Sequence, residues 1–229
     1  MFRALFSILD TIKSDKNLTM WVLCTINGIL EDQRSHVNQI IHNQKSMSKH
    51  VDAIGILYRF LQDQLIEENV DKCELAAHSL SIIIQAHKNA SITEMQNSLD
   101  FMTWLLEDNN KKLLSDKCRT ACLVQLMKNN KLAYIFVEKR NGFHKLQGWL
   151  VDCIKNKQDQ LAYNTLAILW IVSFHDFSLE YFRDFKLMIL ENVSKVLDYY
   201  NKEKIVRVTL MLFEVSSFLL VTHDCVRRA

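Results

Sequence analysis

Two cysteines placed four residues apart come closest to a metal-binding motif in this sequence. Cys118 and Cys122 would share one face of a helix, and cysteine thiolates are among the preferred ligands of zinc. A structural zinc site needs four ligands, and the sequence offers no CxxC motif and no second pair at a suitable spacing. We therefore interpret both as reduced core residues, and we predict that the chain holds no metal and no other cofactor.

A histidine followed by an aspartate invites comparison with an acid–base pair. His175 and Asp176 are adjacent, and adjacent residues of a helix do not face one another. Catalytic triads are spatial arrangements, so sequence order alone identifies none here. We interpret the pair as a turn between two helices, and we predict that the chain is not an enzyme and binds no small-molecule substrate.

A charged segment near residue 205 has two interpretations. Glu203 lies four residues before Arg207, which is the favourable order for an ion pair along a helix. In the first interpretation this pair stabilises an exposed helix start by about 0.2–0.5 kcal/mol. In the second, Lys202, Lys204 and Arg207 line one edge of a groove and bind an acidic helix of a partner. Both interpretations stay open on sequence alone.

Proline and glycine are almost missing from the chain, and this limits the elements that can position those residues. The 229 residues include no proline and four glycines, whereas the two types together average about 12% of a globular protein. Primed hairpin turns and phosphate-binding loops both rely on glycine. The composition therefore predicts an all-α protein and argues against most sheet-containing catalytic folds.

The charge balance and the apolar runs restrict the classes of partner. The formal net charge is +2, from 28 basic and 26 acidic residues, so a nucleic-acid partner is not expected. The longest uncharged apolar run, residues 161–174, is shorter than the roughly 20 residues that span a bilayer. No targeting segment is recognisable and the six cysteines form no disulfide pattern, which together predict a cytoplasmic protein without direct membrane insertion.

Apolar residues recur at helical spacing along the second half of the chain. Residues 161–174 are apolar on nearly every face, which predicts a helix buried on all sides, with Trp170 and Phe174 in the core. A stripe at steps of three and four over residues 182–200 predicts either one helix or two short helices in phase. We expect a turn over residues 184–187 that ordinary residues make, because no proline or glycine lies there.

Three apolar segments begin at a regular interval. They start at Ala121, Ala167 and Val208, about 46 and about 41 residues apart, and a polar break follows each of the first two. Intervals of about 40–47 residues are typical of HEAT and armadillo repeats, which stack because one unit cannot bury its apolar faces alone. The sequence thus predicts an armadillo/HEAT-like, right-handed superhelical solenoid of about five helical repeats, forming a single domain over residues 1–229.

Four segments between residue 21 and the C-terminus form an ordered set. Residues 21–31 make a helical segment that ends at an acidic break, and residues 122–142 combine a leucine-rich helix, a polar turn, an aromatic-Val-Glu sequence and a glycine. Residues 167–174 centre an apolar helix on a tryptophan, and residues 203–208 read Glu-Lys-Ile-Val-Arg-Val. In order and spacing these segments resemble the H subunit of the eukaryotic vacuolar proton-pumping ATPase, in its N-terminal armadillo-like part.

The resemblance implies a regulatory component of the pump rather than an enzyme. In that family the protein lies on the cytosolic catalytic sector near the peripheral stalks, and its N-terminal solenoid supports ATP hydrolysis coupled to proton transport. The expectation is a peripheral protein on the cytosolic face of vacuolar and other endomembranes, which assists organelle acidification and binds other pump subunits. Partner contacts are expected at Glu138, Lys202, Lys204 and Arg207.

The resemblance covers only part of the family pattern. The chain is expected to lack some N-terminal helices and the C-terminal domain, which in that family silences the detached catalytic sector, so coupling without silencing is expected. A generic armadillo/HEAT adaptor for protein–protein interaction is the alternative function. Import-receptor proteins of that class repeat tryptophan along their groove, whereas Trp21, Trp104, Trp149 and Trp170 do not recur at a repeat spacing.

Overall fold

Helices account for the regular secondary structure of the chain. A computed structural model describes residues 2–11, 15–32, 37, 52–67, 69–87 and 92–227, and within them it has eleven α-helices, one 3₁₀ helix and no strand. The prediction of an all-α fold is confirmed. The chain divides into two compact units, Met1–Leu126 and Met127–Ala229, each with its own buried apolar core.

Helices of the first unit pack mainly on helices one or two places along the chain. In order they are α1 (Phe2–Thr11), α2 (Lys16–Asp32), α3 (Ala53–Glu67), α4 (Val70–Ala86), α5 (Ile92–Leu106), a 3₁₀ helix (Asp108–Lys112) and α6 (Asp116–Leu126). Helix α3 packs on α1 and α5, and α4 packs on α2 and α6. The layers of odd and even helices meet where α1 contacts α2, α3 contacts α4 and α5 contacts α6.

The second unit repeats this packing. Its helices are α7 (Asn130–Lys139), α8 (Gly142–Asn156), α9 (Asp159–Ser173), α10 (Ser178–Tyr199) and α11 (Glu203–Arg227). Helix α8 packs on α7, α9 and α10, while α9 also packs on α10 and α11. Every second helix is again a main neighbour, which is how helix pairs stack when each pair covers the apolar face of the one before.

Long-range side-chain hydrogen bonds share a common separation along the chain. Eight such bonds of the described residues, each inside one unit, join residues 41 to 52 positions apart. In the first unit His78 pairs with Glu31, and in the second the Lys204 ammonium donates to Gln160. This range contains the 46- and 41-residue intervals between apolar segments, so one sequence period separates the side chains that meet.

Helix α10 is continuous, so the turn expected over residues 184–187 is wrong. It extends over 22 residues from Ser178 to Tyr199. The apolar stripe keeps its steps of three and four through this segment, and neither glycine nor proline interrupts the backbone hydrogen bonds. Of the two arrangements left open by the sequence, the structure therefore has the single helix.

Helix α9 is buried along most of its length, as its apolar sequence predicts. The expected core position of Phe174 is nevertheless wrong, because this side chain is 62% exposed. The helix ends at Ser173, and Phe174 enters the following turn instead of continuing the buried face. Trp170 is half-buried and meets the Phe174 ring edge-to-face, with ring centroids 5.2 Å apart.

Candidate functional site

The predicted lysines lie where α11 begins, beside the first turn of α9. Lys202 precedes α11 and forms an ion pair with Asp159 of α9. The Lys204 ammonium donates a 2.6 Å hydrogen bond to Gln160 Oε1 and lies 5.1 Å from the ring centroid of Tyr163. The structure thus brings both lysines against one surface of α9, and both stay exposed. We call these five residues the α9–α11 corner.

Arg207 uses its charge within its own helix. It forms an ion pair with Glu203 four residues earlier, and the two side chains are 70% and 82% exposed. The intrahelical pair expected from the residue order is therefore present. Exposed pairs of this kind contribute about 0.3–0.5 kcal/mol, so its effect on stability is small and the guanidinium stays accessible.

Glu138 is bound by groups of its own unit. Its side chain is 28% exposed, and its carboxylate accepts hydrogen bonds from the hydroxyls of Tyr181 and Tyr134. The Lys139 ammonium lies 3.3 Å from the same carboxylate. These contacts, the Tyr181 hydrogen bond above all, hold the pKa of Glu138 below its usual value. Conversely, donating to Glu138 is the main reason that the pKa of Tyr181 is raised to about 12.

The four residues predicted to bind a partner thus have three different environments. Lys202 and Lys204 lie at the α9–α11 corner, Arg207 pairs along α11, and Glu138 lies between α7 and the start of α10. Sequence reasoning missed the residues that engage them. The period was the available signal, because Tyr181 follows Glu138 by 43 positions and Lys204 follows Gln160 by 44.

The cysteines are free thiols whose environment keeps them protonated. Cys118 and Cys122 of α6 share a hydrogen bond, and this bond together with burial raises the pKa of Cys122 well above its usual value. Burial is likewise the main cause that raises the pKa of Cys73 to about 11. Metals bind the thiolate form. Among the described residues, no three His, Cys, Asp or Glu side chains are placed to hold a metal ion.

His175 and Asp176 lie in the turn between α9 and α10, as predicted. The His175 ring stacks on Phe177 with centroids 5.4 Å apart, and its Nε2 lies 2.8 Å from the carbonyl oxygen of Met127. A carbonyl only accepts, so Nε2 carries the hydrogen in this contact. The histidine therefore connects the turn to the start of the second unit.

The family comparison covers nearly the whole chain. The family of the V-ATPase H subunit matches residues 2–214. The chain belongs to the V-ATPase H-subunit family. Its match to that family begins well before residue 21, where the resemblance seen in the sequence starts, and extends into α11. No curated protein matches the chain.

Membership of the V-ATPase H-subunit family relates the structure to a proton-transporting complex. The matched range contains all four residues predicted to bind a partner, together with the whole α9–α11 corner. Within the part of the chain that the structure describes, no helix combines the length and the apolar character that a membrane span requires.

Proposed function

We propose that the chain is a non-catalytic regulatory and structural subunit of the cytosolic catalytic sector of the vacuolar proton-pumping ATPase. The family match over residues 2–214 is the observation that carries the proposal. In this role the chain has no active site of its own and supports ATP hydrolysis coupled to proton transport, and hence organelle acidification. It lies on the cytosolic face of vacuolar and other endomembranes as part of the pump.

The proposed architecture is an armadillo/HEAT-like, right-handed superhelical solenoid of about five repeats within one domain. Two observations support it. Helices pack on their second neighbours in both units, and side-chain hydrogen bonds recur at separations of 41 to 52 residues. At roughly 45 residues per repeat, the 229 residues of the chain correspond to about five repeats.

The proposed mechanism is mechanical. Solenoids bind partners along extended surfaces, so one chain can hold peripheral-stalk and catalytic subunits together. The chain then favours those pump conformations to which it binds more tightly, because a ligand shifts an equilibrium only through differential affinity. Lys202, Lys204 and Arg207 are proposed to bind acidic groups of a partner, and Glu138 to bind a basic group with the accepting capacity left on its carboxylate.

The test is recovery of pump subunits with an affinity-tagged chain from native membranes, followed by mass spectrometry. We expect peripheral-stalk and catalytic subunits to be recovered under conditions that keep the pump assembled. Absence of every pump subunit would reject the proposal, and recovery of unrelated clients that carry basic targeting peptides would favour the generic adaptor instead.

A matched pair of charge-reversal variants addresses the proposed contact residues. Lys202→Glu with Lys204→Glu should reduce recovery of the pump, since both side chains are exposed at the α9–α11 corner. Lys112→Glu with Lys131→Glu changes the net charge equally at two other exposed lysines and should leave recovery unchanged. Equal recovery from both pairs would remove the lysines from the proposed site.

A further inference from the structure

The turn between α8 and α9 carries two lysines outside the predicted partner-binding set. Helix α8 ends at Asn156, Lys157 is its C-terminal cap, and α9 begins at Asp159. Lys155 and Lys157 are both exposed. Within the described part of the chain neither of them forms an ion pair, whereas Lys202 is neutralised by Asp159. These two lysines therefore present uncompensated positive charge.

Several contacts hold this turn beside the turn that precedes α11. The Tyr200 hydroxyl donates a hydrogen bond to the carbonyl oxygen of Cys153, which lies in the last turn of α8. The backbone N–H of Gln158 donates to the same oxygen over 3.0 Å. Lys202 pairs with Asp159 just beyond. Since residue 157 lies between these anchor points, its side chain shares one surface with the lysines of the α9–α11 corner.

The backbone of Lys157 is unusual for a lysine. Its φ of 53° and ψ of 45° lie in the left-handed region, at the position after a helix where glycine is common. This conformation is unfavourable for most residues that carry a Cβ. The other described non-glycine residue with positive φ is Asn141, a residue type that adopts this region more readily. A lysine at position 157 is therefore not the choice that local stability favours.

An exposed aromatic residue lies next to these charges. Tyr199, at the end of α10, is 65% exposed and directly precedes Tyr200, which contacts α8. Tyrosine is enriched among residues that dominate the energy of protein interfaces. Lys204 nearby donates to the neutral Gln160 side chain, so its charge is also available to a partner.

The acidic residues of the same region decide what kind of partner fits. Asp159 and Glu203 are paired with Lys202 and Arg207, whereas Asp152 of α8 and Asp198 of α10 are exposed carboxylates. Anionic membrane surfaces attract clusters of about four to eight basic residues. A surface on which carboxylates alternate with lysines suits instead a structured partner that places its own carboxylates opposite the individual ammonium groups.

We propose that Lys155, Lys157 and Lys204, around Tyr199, form a docking surface for an acidic helix of another V-ATPase subunit. We call these four residues the turn surface. The proposal rests on the proposed function and specifies its partner-binding site. A helix with glutamates at steps of three and four presents a row of carboxylates on one face, and its apolar stems cover the tyrosine ring.

The left-handed lysine provides a test that separates binding from stability. The variant Lys157→Gly places the favoured residue at the cap, so its Tm should rise, while its affinity for the purified pump from which the native copy of this chain has been removed should fall. Combined with Lys155→Gln, the loss of affinity should be about three- to tenfold, as expected for two exposed charge pairs. Raising the salt concentration should reduce the difference between variant and parent.

The matched control is Asn141→Gly, the same kind of change at the other left-handed position. It should leave the affinity for the pump unchanged. If Lys157 only stabilises the end of α8, Lys157→Gly will bind the pump as the parent does, and this result would overturn the proposal.

Zero-length carbodiimide cross-linking of the assembled complex identifies the partner chemistry directly. We expect amide bonds between Lys155 or Lys157 and carboxylates of a pump subunit. Recovery of the pump without such cross-links would overturn the turn surface but leave the proposed function standing, whereas failure of the parent chain to bind the pump would reject both. Lysine-dependent sedimentation with phosphatidylserine vesicles, without any effect on pump binding, would assign the surface to the membrane and also overturn the proposal.

Discussion

The Arg119 guanidinium donates a 2.6 Å hydrogen bond from Nε to the carbonyl oxygen of Leu105, in the last turn of α5. It also donates to the carbonyl oxygen of Glu107 over 3.0 Å and to the Asp116 carboxylate over 2.8 Å. Backbone carbonyls at a helix end have no partner within the helix. Arg119 supplies that partner from α6 with its side chain 1% exposed, and it thereby joins the two helices through a buried cation.

Replacing Arg119 should severely destabilise the first unit. Arg119→Ala removes the donors to two carbonyl oxygens and leaves a cavity, so we expect the free energy of unfolding to fall by about 3–5 kcal/mol. Urea denaturation of the whole chain measures this change. Arg119→Lys keeps the charge but lacks the forked donors, and it should lie between the two. A loss below about 1 kcal/mol for the alanine variant would show that solvent replaces these contacts.

Two glycines of α8 should respond oppositely to the same substitution. Gly142 is buried, and a Cβ there would collide with the ring of the fully buried Phe136. Gly142→Ala should therefore destabilise the chain by about 1–3 kcal/mol through overpacking. Gly148 is exposed and has open space around the same atom, so Gly148→Ala should stabilise by about 0.5–1 kcal/mol. Thermal unfolding of both variants checks the sign, and destabilisation by both would contradict the packing argument.

The features that the sequence predicts correctly are those that repeat. An absence of glycine and proline acts at every position, so the all-α fold follows from composition. The interval between Ala121, Ala167 and Val208 reappears in the structure as the separation between side chains that meet, such as those of Glu138 and Tyr181. Stacking requires each repeat to carry the same apolar pattern, which makes the period visible before any contact is known.

Features set by single tertiary contacts were not predictable. Glu138 reads as a surface carboxylate, because its main partner Tyr181 follows 43 positions later and only Tyr134 is near it by helix spacing. The exposure of Phe174 depends on α9 ending one residue earlier, and helix ends are the least certain feature of an apolar run. The left-handed conformation of Lys157 carries no signal in its residue type.

The contact between Tyr181 and Glu138 should make stability depend on acid pH. The pKa of Glu138 is lowered in the folded chain, so its contribution is present above its ordinary value of 4.5 and is lost as pH falls through the lower folded value. Tyr181→Phe removes the main cause of this shift. The variant should therefore lose less of its free energy of unfolding than the parent between about pH 6 and about pH 3.

Tyr199→Phe is the control for that titration, because it removes the hydroxyl of an exposed tyrosine and should keep the parental pH dependence. The alkaline side offers a second check on Tyr181 itself. Its pKa is raised from 10.0 to about 12, so the parent should lose additional stability as pH rises through this interval, and the phenylalanine variant should not. Identical profiles for parent and Tyr181→Phe would contradict the contact.

Two buried tryptophans allow the single-domain proposal to be tested in the whole chain. Trp104 lies in the first unit and Trp149 in the second. Variants that retain only one of them, with phenylalanine at the other tryptophan positions, should each report unfolding of one unit by fluorescence. If the solenoid is one cooperative domain, both probes give the same urea midpoint, and adding Arg119→Ala lowers both together. Separate midpoints, with only the Trp104 signal moved by Arg119→Ala, would show that the two units unfold independently and would reject the single domain.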